Sequence, residues 1–165
     1  MEELTPPDSH YLSAATGWCD LGNFAEARAE LRRISAGNRD HPRVLEEEWR
    51  ICAAEKHWLP ALEVARRLIE VAPHSPAGWI NQSYSLHEMK LTREARNQLL
   101  PVAEKFCADG TIPYNLACYA CQLGDLEEAR QWLARAIKIR GRQAIQEMAL
   151  SDPDLQPMWA EIKKL

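Results

Sequence analysis

The chain has 165 residues, 46% of them apolar, a formal charge of −4 and five cysteines. Its apolar runs are only a few residues long, far below the roughly 20 that a membrane-crossing helix needs, so no bilayer span is expected. The mildly negative balance gives no general attraction to phosphate, and neither nucleic acid nor a membrane is an expected partner. The start MEELTPPDS is acidic, where an export signal would put positive charge ahead of an apolar core. With the odd cysteine count, this predicts free thiols and a cytoplasmic protein.

Ala27, Ala61, Ala95 and Ala129 recur at intervals of 34 residues, a period that marks a helical repeat. Residues 1–7 then form an N-terminal extension, followed by four units at 8–41, 42–75, 76–109 and 110–143. In the first unit Tyr11, Ala14, Ala15 and Trp18 share one helical stripe, and Leu21-Gly22-Asn23 breaks it. Gly22 can adopt the left-handed conformation that ends a helix, and Asn23 can cap the next one, which turns Phe24, Ala27, Leu31 and Ile34 inward.

The second unit opens at Pro42, suited to a first helical turn, and turns Leu45, Trp49 and Cys52 inward, then Trp58, Ala61, Ala65 and Leu68. Glu46-Glu47-Glu48 reads as a solvated acidic face. In the third unit Trp79, Ser83 and Leu86 precede Ala95, Leu99 and Val102, and Pro101 should bend the second helix. The fourth unit has Pro113, Leu116, Ala117 and Ala120, then Leu126, Ala129, Leu133 and Ala136, with Gly141 as its stop. Residues 144–165 form a C-terminal cap. Asp152 and Pro153 start its last helix, whose stripe Leu155, Trp159 and Ile162 covers the end of the array.

The unit resembles the tetratricopeptide repeat (TPR), a 34-residue helix-turn-helix. Tyr114, Asn115, Leu116, Gly124, Asp125, Glu128, Ala129 and Ala136 stand in that family's positions, as do Gly22, Glu26 and Ala27. Glu48, Trp49, Ser83, Pro101 and Pro113 depart from it. The resemblance implies an all-α fold, a right-handed α-solenoid of antiparallel helix pairs, with a concave groove lined by the first helices. It also implies a noncatalytic scaffold that binds a protein or peptide there. Of the groove positions, Arg50, Tyr84, His87 and Glu88 are the candidates from the second and third units, and Tyr114, Cys118, Cys121 and Gln122 those from the fourth. Tyr84 and Tyr114 offer broad, stiff contact area, and Arg50 a site for a carboxylate.

Chaperone-binding members clamp a terminal carboxylate with Lys, Asn and Arg side chains on consecutive first helices; here Leu12 and Thr16 replace the first pair and Ala77 and Asn81 the last, so no such clamp is expected. A secretion-type chaperone holding an unfolded client is an alternative within the same class. Self-association through open solenoid ends is a further expectation. A metal or thiol protein using His87, Cys118 and Cys121 is the alternative from another class. Against it, the C-x-x-C pair lies mid-helix without a second such pair. His87-Glu88 lacks the second histidine of H-E-x-x-H, since position 91 is Leu91. With no nucleophile elbow and no phosphate-binding glycine loop, no catalytic residue and no cofactor is expected. Arg135, Lys138, Arg140 and Arg142 complement the dipole at a helix end.

Overall fold

The computed structural model describes residues 3–164. Met1, Glu2 and Leu165, parts of the expected N-terminal extension and C-terminal cap, lie outside the described residues. Among the described residues every regular element is helical: α1 (Asp8–Asp20), α2 (Phe24–Arg33), α3 (Pro42–Ala54), α4 (Trp58–Val71), α5 (Pro76–Glu88), α6 (Thr92–Leu99), α7 (Thr111–Gln122), α8 (Leu126–Arg140), α9 (Arg142–Leu150) and α10 (Trp159–Ile162). Short 3-10 turns occupy Ala36–Asn38, Leu100–Val102 and Pro153–Met158. The turn at 100–102 is the expected effect of Pro101, which cannot continue the α-helical ladder. No helix among these residues is long and apolar enough to cross a membrane. The chain falls into two compact units, Met1–Ser85 and Leu86–Leu165.

Four turns share one geometry at the 34-residue interval. Residues 22, 56, 90 and 124 all have positive φ, at 75°, 58°, 67° and 86°. The following N–H groups, on Asn23, His57, Leu91 and Asp125, donate to the carbonyls of Trp18, Cys52, Leu86 and Ala120 at 2.8–2.9 Å. These are Schellman closures, which satisfy carbonyls that the helix end would leave open. Glycine fills the left-handed position at 22 and 124, and a lysine fills it at 56 and 90. Asn23 and Asp125 also accept from Glu26 N–H and Glu128 N–H at 3.3 and 2.9 Å, whereas His57 and Leu91 make no side-chain cap.

The left-handed conformation costs a side chain about 1–2 kcal/mol, and glycine gives back about 0.5–1 kcal/mol through its freer unfolded chain. Lys56→Gly and Lys90→Gly are therefore each expected to stabilise by about 0.5–1 kcal/mol. A thermal melt reads this directly, and a lowered midpoint would contradict it.

Ala27, Ala61, Ala95 and Ala129 are completely buried, as the close crossing of paired helices requires. In α1 the buried row is Leu12, Ala15 and Cys19, and Trp18 is exposed. The stripe expected through Tyr11 and Trp18 is therefore rotated. At the helix start Asp8 accepts from Ser35 N–H (3.0 Å), Ser35 O–H and Asn38 N–H (2.7 Å), tying α1 to the segment after α2.

Those hydrogen bonds, that of the Ser35 hydroxyl foremost, hold the Asp8 carboxyl below its ordinary 3.8. A carboxyl lowered by folding adds stability above its unfolded pKa and loses it as pH falls through the folded value. Asp8→Asn is thus expected to be less stable than the parent at pH 7, with the gap closing below about pH 4. Urea midpoints at pH 7 and pH 3 check this, and a gap independent of pH would contradict it.

Glu46-Glu47-Glu48 is not a uniformly solvated face. Glu47 is buried and Glu48 half-buried, with Glu48 accepting from Arg67 at 3.4 Å. Trp49, bulky where a small residue was expected, is held by its indole N–H on Ser85 Oγ at 3.0 Å and by an edge contact to Tyr84.

In residues 86–165, α7 packs on α8 and on α6, and α9 packs on α8. Asp152 caps the next turn by accepting from Asp154 N–H at 3.0 Å, as its spacing to Pro153 implied, although the turn is 3-10 rather than α-helical. Leu155, Met158 and Ile162 are fully buried. The Trp159 indole donates to the Ala149 carbonyl at 2.9 Å, and Arg130 grips Glu161 with two bonds of 2.7 and 2.9 Å.

Candidate functional site

The expected contact residues fall on two faces, one in each unit. In residues 1–85, α1 and α3 enclose a hollow of about 250 Å³ lined by Leu12, Thr16, Arg43, Glu46, Glu47 and Arg50. Its polar wall is a closed network. Thr16 O–H donates to Glu47 at 3.0 Å, and the Arg50 guanidinium donates to Glu47 (2.9 Å), to Asp20 (2.6 Å) and to the Thr16 carbonyl (3.1 Å). The Glu47 hydrogen bond foremost raises the Arg50 pKa, so the cation is permanent.

Arg50 is therefore not an open site for a partner's carboxylate, because two carboxylates of the chain already hold it. Arg43 and Glu46 stand exposed on the rim. Tyr84 is partly exposed (37%), its ring set edge-on to Trp49 and Trp58 at centroid distances of 6.2 and 5.8 Å. Stiff aromatic packing of this kind presents contact area at low entropic cost.

A larger cleft of about 700 Å³ lies elsewhere in the same unit, between α2 and α4 over α3. Of its arginines, Arg28 pairs with Glu55, and Arg67 pairs with Asp40 and Glu48. Two of its four arginines are thus neutralised by acids of the chain, and Arg39 donates to the Ile34 carbonyl at 3.3 Å.

The second face is α7 with the end of α5, and here the expectation of open groove lining needs correction. His87, Tyr114, Cys118 and Cys121 are buried. What covers them is the chain's own segment after α9. Tyr114 O–H donates to Asp152 Oδ2 at 2.8 Å, and the Cys118 thiol reaches the same oxygen at 3.5 Å. His87 Nε2 lies 2.7 Å from Asp154 Oδ2, and its Nδ1 lies 3.0 Å from the Thr92 hydroxyl. Gln122 donates to the Asp154 carbonyl at 2.8 Å. Glu88 is only half-buried. The structure thus brings His87, Tyr114, Cys118 and Gln122 together around residues 152–154, and it leaves Arg50 and Tyr84 on the first face.

Burial, and then the carboxylates of Asp152 and Asp154, push the Cys118 thiol well above its ordinary value, and Cys121 shifts the same way. Burial likewise raises Tyr114. Neither thiol is poised as the thiolate that redox or metal chemistry uses. Among the described residues, no three His, Cys, Asp or Glu side chains are grouped to hold a metal ion.

Glu47, Asp152 and Asp154 are the residues that sequence reasoning missed. Glu47 had a signal in its position three residues before Arg50 on one helix. Asp152 carried only its capping signal.

No protein-family model and no curated protein matches the sequence. Solved structures do match by fold. TTC0263, a thermophilic TPR protein of Thermus thermophilus, is similar over 96% of this chain and 100% of its own, at 17% identity and a TM-score of 0.73. MamA (41-end) of Desulfovibrio magneticus RS-1 is similar over 98% of this chain and 94% of its own, at 17% identity and 0.71. Another MamA crystal structure covers 95% and 88%, at 14% identity and 0.69. The fold is that of an all-α repeat protein of the TPR type.

Proposed function

We propose that this chain is a noncatalytic interaction scaffold, working in the cytoplasm, that binds a partner protein or peptide on the faces of its first helices. The observation that carries this reading is the α1–α3 hollow. It joins Arg50, one of the expected contact residues, to Leu12 and Thr16 of α1, and Arg43 and Glu46 stand on its rim. Side chains of both signs around a small concavity favour a polar segment over an apolar ligand. Tyr84, packed on Trp49 of α3, supplies an exposed aromatic anchor in the same unit. The raised thiols of Cys118 and Cys121 support a noncatalytic role for that pair.

The same reading takes the chain as four units, at 8–41, 42–75, 76–109 and 110–143, between an extension at 1–7 and a cap at 144–165. The fourfold recurrence of one left-handed turn supports that division.

The test is affinity capture from the native lysate with the parent chain and with an Arg43→Ala, Glu46→Ala, Tyr84→Ala variant. All three positions are exposed, so the fold should survive. The reading expects a partner retained by the parent and lost from the variant. An identical captured set would overturn it.

A further inference from the structure

We infer that the α7 face, with His87, is a recognition site for an acidic turn of the form Asp-x-Asp-Leu, and that residues 152–155 of this chain fill it in cis. The inference rests on the reading of the chain as a binding protein and names the chemistry that its second face selects.

Four side chains at the positions expected to contact a partner meet one four-residue turn. Tyr114 and Cys118 converge on a single oxygen of Asp152, His87 meets the Asp154 carboxylate, and Gln122 reads the Asp154 carbonyl. Leu155 follows directly and is fully buried, which supplies the apolar anchor.

The turn is also self-contained. Asp152 gives one oxygen to α7 and the other to Asp154 N–H, so a single carboxylate both shapes the turn and docks it. Pro153 fixes its own φ at the first position of that turn. A short segment can therefore carry the whole recognition element, and a partner bearing one could present it in trans.

None of these four side chains is a lysine or an arginine. Recognition here uses hydrogen-bond donors, three directed at carboxylate oxygens and that of Gln122 at the Asp154 carbonyl, and bonds to a carboxylate are about twice as strong as those between neutral groups. Alanine at either aspartate should remove it.

A tethered occupant competes at an effective concentration in the millimolar range. The parent chain should accordingly bind a free copy of the turn weakly, and a chain whose own turn is ejected should bind it well.

The experiment uses the full chain with Leu155→Asp, because a carboxylate cannot occupy that apolar site unpaired. The probe is a fluorescent peptide of residues 150–160, compared with the same peptide carrying Asp152→Ala and Asp154→Ala. Hydrogen exchange follows the state of both chains. The expected result has three parts: residues 151–158 exchange fast in the variant while α7 and α8 stay protected, the native peptide binds the variant at least tenfold more tightly than it binds the parent, and the alanine peptide binds neither.

The proposal is overturned if the native peptide fails to bind once the segment is released, or if it binds both chains alike. It is overturned equally if α7 loses protection together with the segment, which would make residues 151–158 a part of the core, or if the segment stays protected despite Leu155→Asp. Any of these outcomes leaves the capture experiment above undisturbed, because Arg43, Glu46 and Tyr84 lie in the other unit.

Discussion

Leu116→Ala is expected to destabilise the chain by about 2–5 kcal/mol, the range for truncating a fully buried leucine. Leu116 lies in α7, with no exposed surface, in a helix packed on α6 and α8. The cavity has little room to collapse, because Ala117, Ala120, Ala129 and Leu133 are themselves buried at the crossing of α7 and α8. The control is Leu59→Ala on α4, where the leucine is 57% exposed. That change should stay within about 0.5 kcal/mol. Urea denaturation of both variants gives the comparison, and similar losses at the two positions would contradict the assignment of inward and outward rows.

Arg50→Ala is the second large effect, at about 1–3 kcal/mol. Its guanidinium is the partner of Glu47, whose side chain is only 8% exposed. Removing the cation leaves a buried carboxylate that keeps only uncharged donors, the Thr16 hydroxyl and the Cys19 thiol, among the described residues. The upper limit is set below that of a fully buried pair because Arg50 itself is 39% exposed and partly screened. Arg50→Lys should recover only part of the loss, since an ammonium cannot make the forked contact to Glu47, Asp20 and the Thr16 carbonyl together. The informative measurement is a double-mutant cycle with Glu47→Gln. A coupling energy near zero would mean that the buried Glu47 carboxylate does not depend on the Arg50 cation.

These results also mark where the sequence was legible. The recurring alanines at helix crossings, the turns at Gly22 and Gly124, the break at Pro101 and the cap at Asp152 all act through near neighbours, so local chemistry disclosed them. The left-handed turns at Lys56 and Lys90 were not legible from residue type, because lysine carries no preference for that conformation. Only the 34-residue spacing from Gly22 and Gly124 points to them.

Glu47 was hidden by its neighbours. Glu46 and Glu48 made it look like one more solvated acid, and its burial depends on Thr16, 31 residues away on another helix. The covered face of α7 was hidden for the same reason. Tyr114 and Asp152 are 38 residues apart, and nothing local to either one announces the other. Contact positions carried over from a family pattern describe a groove before its own chain is laid across it.

Whether a partner is held by the first-helix faces is read most directly by amide hydrogen exchange of the full chain, alone and with the partner retained in the capture experiment. Binding there predicts slowed exchange in α1 and α3, around Leu12–Asp20 and Arg43–Arg50, with α2 and α4 unchanged. Slowing confined to α2 and α4, on the walls of the arginine-lined cleft, would contradict it.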